Sequence, residues 1–535
     1  MKHDANACHC HCCPTVSTTS KSKSAIELSR RTFLGSMVAG GSLLSNVAWS
    51  ALSDNAAYDP DGPDGYFPPA PGRKELVVLP VLIYDRHTRQ EETSWRGWGG
   101  VQSPEAAEKE GEQIKKELAE LQKQPDFDFP AKFLPLQICN HIGETKNADQ
   151  ADVILVYGAG CGIEGLQRFN KDAIIFQRWH SGEVYLQYEI VSPRFLRQHQ
   201  DTLQLKNIQY DDVVTDSYDE VKWRLRALCG LKNARNSRIL CIGGPDAWSQ
   251  NAERQKILFG AIDKAWKMDI QTVEYSKLDE LLTEARNDAG LIEWAKKAAD
   301  AYLATPGTTL STKKEFVVNA FILTSIFAKL MQRADCKAIT VFGCMNTIIP
   351  KARTTACLTL SLLNDAGYLA FCESDFAVIP SGMALAAITG KPVFLNDPTY
   401  PHDKFITLAH CTSPRKMDGV TALPAEIVTH FESDYGAAPK VAYECDKLVT
   451  CIMPDFLGAR WVGMKGKICD VPFRPICRSQ CDVKYEVSDE LVNEKMPGFH
   501  WMMCYGDYIR ELGYMLRRTE ILWENLDKMD RTSYR

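Results

Sequence analysis

At 535 residues the chain is long enough for roughly three domains at the usual ~100–200 residues each. An apolar share of 45% suits a large buried core. A formal net charge of −6 supplies no electrostatic attraction for nucleic acid, and no such partner is expected.

Residues 1–51 read as a targeting region. Ser29-Arg30-Arg31-Thr32-Phe33-Leu34-Gly35 is a twin-arginine pattern, followed by a mildly apolar run from Met37 to Ala51 that Gly40, Gly41 and Ser42 interrupt. Low hydrophobicity after Arg-Arg is the mark of the twin-arginine (Tat) route rather than Sec. A chance Arg-Arg before an ordinary helix is the competing reading, but no cap or amphipathic pattern surrounds the pair. The expectation is export by the Tat translocase to a periplasmic or other extracytoplasmic space. No clean A-x-A follows the run, and an uncleaved anchor would be a poor one with Gly40-Gly41 and Asn46 in it. Of 19 cysteines, four lie in Cys8-His9-Cys10-His11-Cys12-Cys13. That tract is either a soft-metal binder or part of a discarded presequence. The others are scattered through apolar segments, as at Cys241, Cys336, Cys357 and Cys504. They read as small core residues of a protein that folds in the reducing cytoplasm.

Residues 52–73, rich in Pro, Gly and Asp, read as a linker. An N-terminal α/β domain follows over 74–236. Its expected elements are a strand from Leu76 to Tyr84, a charged amphipathic helix from Pro104 to Gln124, and strands Val153 to Tyr157 and Ala173 to Phe176. A second α/β domain is expected over 237–400. It starts with the strand at Arg238, then a helix Gln250 to Lys267, a strand Gln271 to Tyr275, a helix Phe316 to Arg333 and a strand Ile339 to Phe342. The apolar part of that last helix, Phe316 to Met331, falls short of the ~18–20 residues of a membrane span and holds Asn319 and Lys329, so a buried helix is expected. Next come a strand Tyr368 to Phe371, a helix Phe376 to Thr389 closed by Gly390, and strands Pro392 to Leu395 and Phe405 to Ala409. Over 401–535 the character changes to short β-prone runs: Ile427 to Phe431, Lys440 to Glu444, Leu448 to Met453, Ala459 to Val462, Lys467 to Val471 and Val483 to Val487. No long helix is expected until Tyr508. The reading is two doubly wound βα domains followed by a β-rich C-terminal domain.

Glu373, Asp397 and His410 each stand at the end of an expected strand, where open parallel sheets bind ligands. Two carboxylates and an imidazole there make a hard-metal or acid/base site. The string "CESDFAVIPSGMALAAITGKPVFLNDP", with 24 positions from Glu373 to Asp397, resembles the core motif of the L-fucose/L-arabinose isomerase superfamily. "LAHC" at 408–411 is similar to the strand that carries a metal-site His in arabinose isomerases. "GFHWMMCYGDYIRELGYMLRRTEI" from Gly498 looks like the family's C-terminal segment, in which a His completes the site. The resemblance runs from about Ala338 to Ile521 and is thin over residues 75–330. It implies a fucose isomerase-like fold and a divalent metal, Mn²⁺ above all, held by Glu373, Asp397, His410 and His500. Glu373 and Asp397 would double as acid/base pair in aldose–ketose isomerisation of a monosaccharide or derivative through an enediolate. It also implies a homo-oligomer, trimer or hexamer. Phe342-Gly343-Cys344 departs from the family, where many relatives carry an acidic residue, and export is unusual for a sugar isomerase.

Three other features compete for function. Trp95-Arg96-Gly97-Trp98-Gly99-Gly100 and Arg178-Trp179-His180 carry aromatic faces and guanidinium donors suited to a sugar, making Trp95, Arg96, Trp98, Arg178 and Trp179 candidate substrate contacts; interdomain packing is the alternative. Arg415-Lys416 reads as a solvated pair, or as a clamp for an acidic sugar substituent. Gly160-Cys161-Gly162-Ile163-Glu164-Gly165 fits G-x-G-x-x-G, but the helix expected after it is short and no acid stands at the tip of the next strand. An exported NADP-dependent sugar oxidoreductase is therefore the first alternative, and a non-catalytic sugar-binding protein on the same scaffold the second.

Overall fold

The computed structural model describes residues 44–46, 65–88, 91–92, 97–248 and 250–529. The twin-arginine motif, the N-terminal Cys/His tract, most of the expected linker, and Trp95 and Arg96 lie outside the described residues. The chain is mixed α/β, with two parallel sheets and a C-terminal antiparallel barrel.

The first described strand, β1 (Leu44–Asn46), falls in the expected signal region and joins the second sheet. The first sheet is built from β2 (Leu76–Ile83), β3 (Ala131–Phe133), β4 (Gln137–Cys139), β5 (Val153–Gly158), β6 (Asp172–Gln177) and β7 (Val213–Thr215). All pair in parallel, in the order β3-β2-β5-β6-β7, with β4 beside the end of β2. The near-continuous apolar runs of β2 and β5 suit strands covered on both faces. The second sheet takes β8 (Arg238–Ile242), β9 (Asp269–Val273), β11 (Ala338–Val341) and β12 (Leu369–Cys372) in the order β1-β9-β8-β11-β12; the short β10 (Thr308–Leu310) pairs elsewhere. In both sheets the second strand lies outside the first, the order of doubly wound folds.

The third region departs from the expected division at residue 400. Strand β13 (Phe394–Pro398), which carries Asp397, belongs to the barrel and not to the parallel sheet. It pairs antiparallel with β14 (Phe405–His410) and with β20 (Trp501–Tyr505). From β14 the ring runs through β19 (Ser479–Lys484) and β18 (Arg460–Asp470) to β17 (Leu448–Pro454), which returns to β20. Six antiparallel strands thus close with no open edge, and β21 (Leu522–Asn525) adds in parallel to β18. The two runs expected at Ala459 and Lys467 are one strand, β18. A small sheet of β10, β15 (Ala425–Val428) and β16 (Ala438–Val441) flanks the barrel.

The helix Lys314–Arg333 is long and apolar enough to cross a membrane, but it packs mostly buried between Ala289–Leu303 and Ala356–Asp365. The segment Tyr218–Ala234, for which no element is expected from the sequence, is a helix capped by Ser217, whose hydroxyl accepts from the Glu220 N–H. It touches β2, the helix Ile379–Thr389 and the terminal helix Ile509–Leu516. Three cations on it are drawn inside by acids: Lys222 by Asp126 at 2.7 Å, Arg224 by Glu220 at 2.7 Å, and Arg226 by Glu511 at 3.0 Å. None of the fifteen described cysteines is in a disulfide.

At the crossing of this helix with Ile379–Thr389, a Cβ on Gly230 would stand 2.5 Å from Ile388 Cγ1 and 3.1 Å from Ile388 Cα. The clash includes backbone, so the helices must separate to relieve it. Gly230→Val is expected to cost about 1–3 kcal/mol, read as a lower denaturation midpoint; an unchanged midpoint would show that the crossing is not close-packed.

Candidate metal centre

Strand β12 ends at Cys372, and the chain turns at once through Glu373 (φ 66°) and Ser374 (φ 51°). Two consecutive non-glycine residues in the left-handed region are costly, on the order of 1–3 kcal/mol each. The turn is held from several sides. The Ser374 N–H donates to Thr340 Oγ1 at 3.1 Å, the Ser374 carbonyl accepts from the Asp246 N–H at 3.2 Å, and the Phe376 N–H donates to the Asp246 carbonyl at 3.0 Å. From this turn the Glu373 side chain reaches His410 and His500 of the barrel.

The barrel supplies the rest. Its register sets Asn396 opposite Trp501, which places Asp397 beside His500 just before β20 begins. His410 is the last residue of β14. His500 Nε2 lies 3.4 Å from Glu373 Oε2 and 3.2 Å from Asp397 Oδ1, and His410 Nε2 lies 3.7 Å from Glu373 Oε1. One ligand atom each from Glu373, His410 and His500 falls within 4.8 Å of the others, so this buried group can hold a metal ion. Asp397 is outside that mutual set but adjoins it through His500. Its Oδ1 and Glu373 Oε2 are separated by no more than the sum of their distances to the shared imidazole nitrogen.

Asp375 has a role here that its place before the helix expected from Phe376 does not reveal. One of its carboxylate oxygens accepts from the Ala377 N–H at 3.0 Å and the Trp248 N–H at 3.2 Å. The other lies 2.6 Å from His500 Nδ1. This contact fixes the ring and aims Nε2 at Glu373 and Asp397, the carboxylate–histidine support common behind metal ligands. The helix expected from Phe376 starts only at Ile379, so Asp375 stands in the turn that precedes it. His410 is braced likewise through Nδ1 to Thr412 Oγ1 at 2.8 Å. Trp248 stacks on Phe499 with centroids 4.0 Å apart, and both rings stand edge-on to His500.

Burial opposes charge on Glu373, but the positive charge and N–H groups of His500 and His410 outweigh it and hold the carboxyl at about 2. Burial also opposes charge on the two imidazoles. The Glu373 carboxylate, with Asp397, raises His410 despite it, and Glu373, Asp375 and Asp397 together raise His500 strongly. Glu373 Oε2, Asp397 Oδ1 and His500 Nε2 are buried and make no well-aimed hydrogen bond among the described residues. Three such atoms converging are the orphans that a divalent cation satisfies. Carboxylate and imidazole donors without thiolate fit hard to borderline divalent ions rather than soft ones.

The other candidates fall elsewhere. Arg178 is fully buried, paired with Glu110 at 2.6 Å and Glu117 at 2.7 Å, so it is a structural ion-pair residue and not a substrate contact. Trp179 is exposed and stacked on Tyr188. Trp98 borders a cavity of about 710 Å³ at the C-terminal end of the first sheet, with Arg86, Asn140 and Arg194, away from Glu373 in the fold. Arg415 is buried too: its Nε donates to the Leu423 carbonyl at 2.8 Å and its guanidinium lies over Tyr302, which excludes both the solvated and the clamp reading. In the Gly160–Gly165 loop both Asp85 carboxylate oxygens lie 3.0 Å from the Cys161 nitrogen, where a dinucleotide phosphate would sit. A Cβ on Gly162 would meet the Asn140 carbonyl oxygen at 2.1 Å. Only a single 3₁₀ turn, Leu166–Phe169, follows. The glycines serve chain crossing, and no helix N-terminus faces a phosphate.

A scan of protein-family models finds no match to this chain, and a search of curated proteins finds no significant one.

Replacing Asp375 by Asn keeps the shape and removes the charge behind His500. Titration of the metal-free protein with Mn²⁺ is expected to give roughly 10–100-fold weaker binding for Asp375→Asn. Equal affinity in the two proteins would reduce Asp375 to a turn residue.

Proposed function

We propose that this chain is a metal-dependent sugar isomerase of the fucose/arabinose isomerase superfamily, interconverting the aldose and ketose forms of a monosaccharide or a derivative. The observation that carries the reading is the convergence of Glu373, His410 and His500, with Asp397 alongside, from segments far apart in sequence. The 24-residue interval from Glu373 to Asp397 and the strings around His410 and His500 support the family reading.

In this proposal Glu373, His410, His500 and Asp397 hold the cation, Mn²⁺ by preference. When bound, the cation polarises the sugar carbonyl and its neighbouring hydroxyl oxygen. The chain's own residues carry the proton. Conversion of an aldose to a ketose removes a proton from C2 and returns one to C1, while the hydroxyl proton on O2 is transferred to O1. Glu373, held as a carboxylate by its two histidines, suits taking the C2 proton and passing it to C1. Asp397, the more open carboxylate of the two, suits taking the O2 hydroxyl proton and returning it on O1. Asp375 keeps His500 in one orientation throughout. Trp248 and Phe499 wall off one side of His500 from water. The Tat motif supports an exported protein, and the resemblance supports a trimer or hexamer.

The test is a panel of aldoses incubated with the purified protein. At least one is expected to isomerise with Mn²⁺ present, and chelation is expected to abolish turnover. Glu373→Gln should lower kcat by about 10²–10⁴-fold. Turnover and metal content that both survive this substitution would overturn the proposal.

A further inference from the structure

A second cavity lies at the opposite end of the second parallel sheet. It is lined by Arg238, Ala338 and Leu369, the first residues of β8, β11 and β12, whereas Glu373 follows the last residue of β12. Its volume is about 310 Å³, the lower end of the range for small-molecule sites. One wall is apolar: Met383, Ala386 and Ala387 from the helix Ile379–Thr389, with Leu369 and Ala338 beside them.

The polar side of the cavity is cationic, although the whole chain is acidic. Arg238 is neutralised by Asp269 at 2.6 Å. Arg73 is not neutralised in this way: its guanidinium donates to the Ala387 and Ile388 carbonyls at 3.3 and 3.1 Å and to the Asp128 carbonyl at 2.5 Å. Lys337 is half-buried, and its ammonium has no hydrogen bond or ion pair among the described residues. Burial and the neighbouring Arg73 both work against its charge. Asp335 and Lys74 stand exposed at the rim.

A half-buried ammonium that no carboxylate of the described residues pairs with, in a cavity it shares with a guanidinium, leaves an anion free to pair with both. An apolar wall opposite such a pair suits a ligand with an anionic head and an apolar body. We propose that this cavity is a binding site for a small organic monocarboxylate, with the carboxylate on Lys337 and Arg73 and the hydrocarbon part against Met383, Ala386 and Ala387. The site is separate from the metal centre and does not depend on the isomerase reading.

Isothermal titration of the full chain with benzoate and hexanoate tests this, with benzamide and inorganic phosphate as controls. Saturable binding of at least one carboxylate, one per chain, is expected at millimolar or lower concentration, a range typical of a weak fragment. Benzamide lacks the charge and phosphate lacks the apolar body, so both should bind at least tenfold more weakly. Lys337→Met should weaken carboxylate binding tenfold or more while raising the melting temperature of the free protein, and Lys337→Arg should restore binding. No saturable binding by either carboxylate, or equal binding to the wild type and Lys337→Met, would overturn the proposal.

Discussion

The arrangement turns on the Asp375 carboxylate, which ties together three stretches of chain that share no local sequence. It accepts the N–H of Trp248 in the loop after β8, caps its own turn at Ala377, and contacts His500 at the head of barrel strand β20. Without that contact the barrel histidine has no fixed tautomer toward Glu373. The strained turn at Glu373 and Ser374 is the local cost of the joint, and the backbone bonds between Ser374, Asp246 and Phe376 offset it. A fully buried carboxylate and imidazole at 2.6 Å would be expensive for stability alone, since an apolar pair of similar volume serves as well. Their retention at the edge of a group of unsatisfied ligand atoms is better explained by what those atoms bind.

The closed barrel gives this joint its precision. Ligands placed on loops drift, whereas Asp397 and His410 are set by strand register and His500 by the strand that follows it. Glu373 comes from the other domain, so the centre forms only when the parallel sheet and the barrel dock. The packing of Ile379–Thr389 against Tyr218–Ala234 and β20 is therefore part of the site's construction as much as of the fold.

Much of this was legible from residue order. Apolar runs bounded by glycine and proline mark β2, β5, β8, β12 and β14 to within a few residues, and Gly390 closes its helix in the left-handed region as expected. What stayed hidden has physical reasons. A four-residue apolar run such as Pro392 to Leu395 looks the same in a parallel sheet and in a barrel, so the sequence does not reveal that β13 joins the barrel. Helix Tyr218–Ala234 shows no clean apolar face, because Lys222 and Arg226 are buried with partners distant in sequence and Arg224 with Glu220 one turn away. Arg178 reads as a candidate substrate contact for the same reason, its partners Glu110 and Glu117 being distant in sequence. Of the four expected ligands, Glu373, His410 and His500 meet as a set and Asp397 adjoins them. The role of Asp375 needed the position of His500, which no local pattern reveals.

Pulsed electron paramagnetic resonance of the Mn²⁺-loaded protein tests the central claim most directly, because it counts the nitrogens bound to the ion. Two directly coordinated imidazole nitrogens are predicted, falling to one in His410→Ala and to one in His500→Ala. An Mn²⁺ signal without nitrogen coupling, or coupling unchanged in both variants, would contradict the assignment of this centre.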